Sequence, residues 1–140
     1  LDLNSSTIEL SQVYDNTASG NLRNVIRLTS LTMPGTSVLN ANIPYHVYST
    51  STVPAGATLQ LQAGTIVKLN GQLTIGGTLV SQGTAGSPVY ITSDADDSVG
   101  GDSNGNGNAT LPAPGDWITF DLLGERAIPL AVGEVAVPLL

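Results

Sequence analysis

Short apolar–x–apolar units recur every 22 residues through the middle of the chain. Tyr45, Val67 and Val89 share that spacing, and so do Val47, Leu69 and Ile91. The three copies read "YHV", "VKL" and "VYI". Between them lie the strand-like pieces "TLQL", "LTI" and "TLV", with Gly56, Gly64, Gly71, Gly77 and Gly83 at the corners. A repeat of this length made only of short strands cannot bury its own inward side chains. Stacking one turn on the next at about 4.8 Å buries them in columns of like residues. The spacing therefore predicts one column of Tyr45, Val67 and Val89 beside another of Val47, Leu69 and Ile91. "NVIRL" precedes the series, with Ile26 one turn before Val47, and "WITF" continues it with Ile118 and Phe120.

The rest of the composition agrees with strands and corners. No sustained i, i+3, i+4, i+7 apolar pattern is present, and Gly or Pro interrupts nearly every helical window. The core must be aliphatic, because the 140 residues include one Phe and one Trp. One domain is the expected size. Eleven acids against four bases give a net charge of −7, and Lys68 and the three arginines do not cluster. Such a surface repels phosphate, so no nucleic-acid partner is expected. No run of about 18 apolar residues offers a membrane span. The lack of cysteine excludes disulfides and thiol chemistry. Few lysines and many Thr, Ser and Asn point to an extracellular or cell-surface location, with a leader removed before Leu1. The sequons at Asn4 ("NSS") and Asn108 ("NAT") are then glycan acceptors.

One long polar stretch breaks the series. Residues 91–120 hold five aspartates and no Lys or Arg. "DSNGNG" (102–107) matches the start of an EF-hand-type loop, with side-chain oxygens at positions 1, 3 and 5 and glycine at 6. Asp102, Asn104 and Asn106 would supply hard oxygen ligands for Ca²⁺. Position 12 is Ala113. Asp94, Asp96, Asp97 or Asp116 would have to stand in for the missing bidentate acid. A plain loop of Asx-turns explains the Asn-Gly pairs equally well. His46 and Lys68 alternate with inward residues and so turn outward, His46 as a lone surface histidine. Trp117 is expected to cover the base of the loop.

The order "IPYHVYSTSTVPAGATLQLQAGTIVKLNGQLTIGGTLVSQGTAGSPVYITSDADDSVGG…PAPGDW" resembles a segment of secreted right-handed parallel β-helix repeat (pectin-lyase-like) surface proteins. "NTASGNLRNVIRL" (16–28) resembles the closing turn of such arrays. The resemblance covers about two thirds of the chain. It implies an all-β, right-handed parallel β-helix with a long acidic loop insertion and extended terminal strands. On that plan residues 1–15 are an N-terminal extension and 16–93 the solenoid turns. Residues 94–116 are the loop, 117–126 the last turn and 127–140 apolar C-terminal strands.

The resemblance also brings polysaccharide lyases and hydrolases into view. A lyase of this architecture needs Ca²⁺-holding acids on the helix face and a base nearby, and a hydrolase needs a carboxylate pair on adjacent turns. The acids of the central turns lie mostly in one loop, so a non-catalytic role is expected. Ice binding needs a regular threonine array, and the outward threonines read as scattered. The tail "AIPLAVGEVAVPLL" alternates Ile128, Leu130, Val132, Val135, Val137 and Leu139, and "LDLNSSTIEL" does the same with Leu1, Leu3, Ile8 and Leu10. Such segments fold back as caps or add to the edge of a neighbouring subunit. The expected function is an extracellular structural protein, a self-associating homo-oligomer or filament subunit. The alternative is a non-catalytic carbohydrate- or surface-binding module from a larger β-helix protein.

Overall fold

The computed structural model describes residues 1–107, 109–116, 119–124, 126–127 and 135–136. These form a parallel β-solenoid of about four turns. The first sheet has the order β1 (Asp2–Asn4), β2 (Ile26–Thr29), β4 (Tyr45–Val47), β7 (Ile66–Leu69), β10 (Val89–Ser93), β13 (Val135–Ala136). The second is β5 (Ser51–Val53), β8 (Gln72–Ile75), β11 (Thr119–Leu122). The third is β3 (Thr36–Leu39), β6 (Thr58–Leu61), β9 (Thr78–Ser81), β12 (Arg126–Ala127). Every strand pair is parallel. The only helical piece among the described residues is a 3₁₀ turn at Leu10–Gln12.

Alternate residues of each strand point into the coil, where Ile26, Tyr45, Val67 and Ile91 stack with Leu28, Val47 and Leu69 beside them. All six residues of the expected columns are buried. The register departs from an even 22 at both ends. Ile26 faces Tyr45 rather than Val47, so that turn is shorter. Ile91, not Val89, faces Val67, so the next turn is longer by two residues. The extra residues sit in the corner where Thr84 and Ser87 bridge each other antiparallel. A shift of two preserves which face each side chain takes, so the core survives it.

A further expectation is corrected. Phe120 does not extend the first sheet. Phe120 pairs with Leu73 of the second sheet, and its ring packs against the core. The next rung of the first sheet is Val135–Ala136 on β10. Thus the turn after β10 is an ordinary one enlarged by the polar loop. Ile118 and Trp117 lie outside the described residues, as do 128–134 and 137–140.

The first residues also join the stack. Asp2–Asn4 pair with Arg27–Thr29, and Thr7 bridges Thr32. Leu10 is fully buried, and its N–H donates to Ser37 Oγ at 3.1 Å. Corners are packed backbone on backbone. A Cβ on Gly77 would fall inside the carbonyls of Ala57 and Pro54, so only glycine lets these turns approach so closely.

Candidate functional site

The polar loop is a strap. After Ser93 the chain turns back and lies across the outer face of the first sheet. Its neighbours trace the path. A Cβ at Gly100 would touch Pro44 and Ile66, and one at Gly105 would touch Leu22 and Arg23. The strap therefore reaches from the fifth rung towards the start of the solenoid.

Under it runs a ladder of outward side chains set by parallel register: Arg27, His46, Lys68 and Thr92. Alternation correctly turns His46 and Lys68 away from the core. The expectation that they meet solvent is wrong, because the strap covers them: His46 is 1 % exposed and Lys68 0 %. Lys68 Nζ donates to the carbonyl oxygens of Asp96 at 2.6 Å and Gly101 at 2.7 Å. His46 Nε2 lies 3.4 Å from Asp94 Oδ2. Arg27 ends the row, 3.7 Å from Asp2 and stacked over the Tyr48 ring at 3.5 Å. Burial lowers the Lys68 pKa, while Asp96, Asp97, Asp94 and Asp102 pull it back up. One cation that the acidic loop encloses is the chain's own Lys68 ammonium group.

The seven residues read as metal ligands separate into groups. Asp94 sits at His46. Asp96 is buried and accepts hydrogen bonds from Thr92 Oγ1 at 2.7 Å, from the Ser98 N–H at 3.2 Å and from the Ser98 hydroxyl. Both carboxylate oxygens of Asp97 are buried without a hydrogen-bond partner. Asp102 accepts from the N–H groups of Gly105 at 2.6 Å, Asn106 at 3.3 Å and Gly107 at 2.7 Å. Asn104 accepts from the Asn106 N–H, and both asparagine amides donate to Thr110. Asp116 closes the neck of the loop by accepting from Ser93 Oγ at 3.1 Å and from the Ala113 N–H. Among the described residues no three His, Cys, Asp or Glu side chains converge as a metal site. The "DSNGNG" turn satisfies its own backbone through Asp102, with Gly105 and Gly107 at positive φ. Of the two sequons, the Asn4 side chain accepts from Ser5 Oγ at 2.9 Å, and Asn108 lies outside the described residues.

These carboxylates carry a pH signature. Burial raises the Asp96 pKa, but Ser98, Thr92 and Lys68 outweigh it and leave the group below its ordinary 3.8. For Asp102, desolvation is likewise outweighed by the N–H groups of Gly107, Gly105, Asn106 and Asn104. A depressed carboxyl pKa stabilises the fold fully above the ordinary value and loses that contribution as pH falls through the lowered one. The Ser98, Gly105 and Gly107 amides should therefore stay protected from hydrogen exchange down to about pH 4 and open below it, after correction for intrinsic exchange rates. Uniform protection at lower pH would show that these carboxylates do not hold the strap.

Sequence reasoning missed a second arrangement. Thr7, Thr32, Thr52 and Thr74 stand in register on the outer face of the second sheet, with Asp121 on the next rung. The threonines are not scattered. Their separations in sequence are unequal, which hides the row. A shallow groove of about 490 Å³ lies between Asp96–Ser98 and Thr110–Pro112. It is lined mostly by the strap itself.

Comparison with family models, with curated proteins and with solved structures finds no match.

Proposed function

We propose that the chain is a non-catalytic, extracellular structural β-solenoid, coiled right-handed, that associates end to end with copies of itself. One observation carries the reading. The two terminal strands of the six-stranded sheet, β1 and β13, run the same way as every strand between them. A copy stacked on the end would continue the parallel sheet without reversal. Such a head-to-tail contact does not close on itself and extends into a filament. The described part of the tail, Val135–Ala136, lies on the chain's own β10. Association would thus use the outer edges of the end rungs rather than an exchanged tail.

The β1 edge can be tested without touching the core. The Leu1 carbonyl and the Ser5 N–H are engaged with β2. By parallel-ladder alternation Asp2 and Asn4 turn their N–H groups to the free edge. Asn4→Pro removes one of these donors. End-to-end particles of the parent chain by negative-stain microscopy, shortened or lost in Asn4→Pro with an unchanged circular dichroism spectrum, would support the reading. A parent chain that stays monomeric at high concentration, or a variant that assembles as well, would sink it.

Calcium at Asp102, Asn104 and Asn106 is a separate proposal. It requires the melting temperature to rise with Ca²⁺ and fall with EDTA. Superimposable curves remove it. The competing reading, a carbohydrate- or surface-binding module, draws on the threonine row of the second sheet.

A further inference from the structure

The outer face of the second sheet carries a row of hydroxyl groups. Thr7 pairs with Thr32, Thr32 with Thr52 and Thr52 with Thr74, one threonine per turn on consecutive rungs. Two residues earlier on the same face, the Gln72 amide donates to Asp121 Oδ2 at 3.1 Å. Parallel stacking places successive rungs about 4.7–4.9 Å apart. The result is a line of hydroxyl groups at that repeat.

The row is free to bind outward. Thr7 and Thr32 are exposed, and Thr52 and Thr74 half-buried by their neighbours in the row. Among the described residues, the threonine hydroxyls that find partners inside the chain are those of Thr29, Thr65, Thr84, Thr92 and Thr110. None belongs to this row. The face is uncharged until Asp121, and the one aromatic side chain of its three strands, Phe120, packs against the core. It thus lacks the stacking platform a sugar ring would use and the charge an ionic polymer would need.

Each threonine presents a hydroxyl, which donates and accepts, beside a methyl group, which does neither. A bulk-water layer over such a row is pinned at the hydroxyls and kept from disordered bonding at the methyls. The rung spacing lies close to the shorter oxygen repeat of hexagonal ice. From this register we infer that the second sheet orders water in an ice-like layer and adsorbs to the surface of ice crystals. The inference does not depend on end-to-end association, because the row exists within one chain.

The test is the shape and growth of single ice crystals in a solution of the intact protein, with Thr52→Lys as the disrupting variant. Lysine at this rung would stand above the row and break it. Gln60→Lys, on the third sheet, serves as the control, since Gln60 pairs with Val38 and Val80 on a different face. The parent chain and Gln60→Lys should facet ice crystals and open a gap between melting and growth temperatures, and Thr52→Lys should lose both. All three should melt alike by circular dichroism. Unshaped crystals and no gap with the parent chain would overturn the inference, as would full activity in Thr52→Lys. Binding to an insoluble polysaccharide that Thr52→Lys abolishes, without any effect on ice, would assign the face to sugar and overturn it too.

Discussion

Val67→Asp should leave the chain unfolded at room temperature. Val67 is fully buried between Tyr45 and Ile91 in the inner column of the first sheet. A carboxylate there has no cation and no donor within the coil. It must stay ionised in a low-dielectric interior or bind a proton at a cost, and either way the residue also loses its packing. Substitutions of this kind cost about 4–5 kcal/mol or more. A domain of this size has about 5–15 kcal/mol to lose, and the one fully buried aromatic side chain of this core among the described residues, Tyr45, packs against the substituted position. Val67→Ala, which only leaves a cavity, should cost about 2 kcal/mol and remain folded. Far-ultraviolet circular dichroism and a urea titration separate the two. A cooperative Val67→Asp transition close to that of the parent would mean the column is not the core.

What could be read from the chain, and what could not, divides along one physical line. Inward residues repeat because each must stack on its like, so Tyr45, Val47, Val67 and Leu69 announce themselves. Register across the solenoid depends instead on the length of each corner, and corners vary freely at the surface. Thr7, Thr32, Thr52 and Thr74 are aligned in space but 25, 20 and 22 residues apart in sequence. No single period finds them. The two added residues near Thr84–Ser87 moved Val89 off Val67 for the same reason. Phe120 falls in the second sheet rather than the first because a strand pattern records its burial and not its place around the coil. The strap was harder still. Alternation tells whether a side chain leaves the core, and it is silent on whether another segment then covers it. The one usable signal was charge: a loop with five acids and no base, beside outward strands that carry Lys68 and His46. Pairing the two would have placed the loop.

That pairing makes Lys68→Met the second large effect. The ammonium of Lys68 donates to two strap carbonyls, and Asp96, Asp97, Asp94 and Asp102 all favour its charged form. Methionine fills a similar volume but leaves both carbonyl oxygens facing an apolar group and the acids without a counter-charge. Hydrogen bonds to charged groups contribute about 1.5–3 kcal/mol each, and an acceptor left unpaired costs a comparable amount. Against this, the variant no longer has to desolvate an ammonium, a cost that the lowered Lys68 pKa reveals. The two terms fall in different places. The coil beneath is relieved of a buried charge, whereas the strap loses its anchor. The expected result is local opening of residues 94–107, by about 2–3 kcal/mol, with little change in the melting of the solenoid. Hydrogen exchange should show the Ser98, Gly105 and Gly107 amides exposed while those of β7 and β8 stay protected. Lys68→Arg keeps the charge but misplaces the donors, so it should open the strap less. If Lys68→Met leaves those three amides as slow as in the parent chain, the strap is held by its own turns, and the ammonium beneath it is incidental.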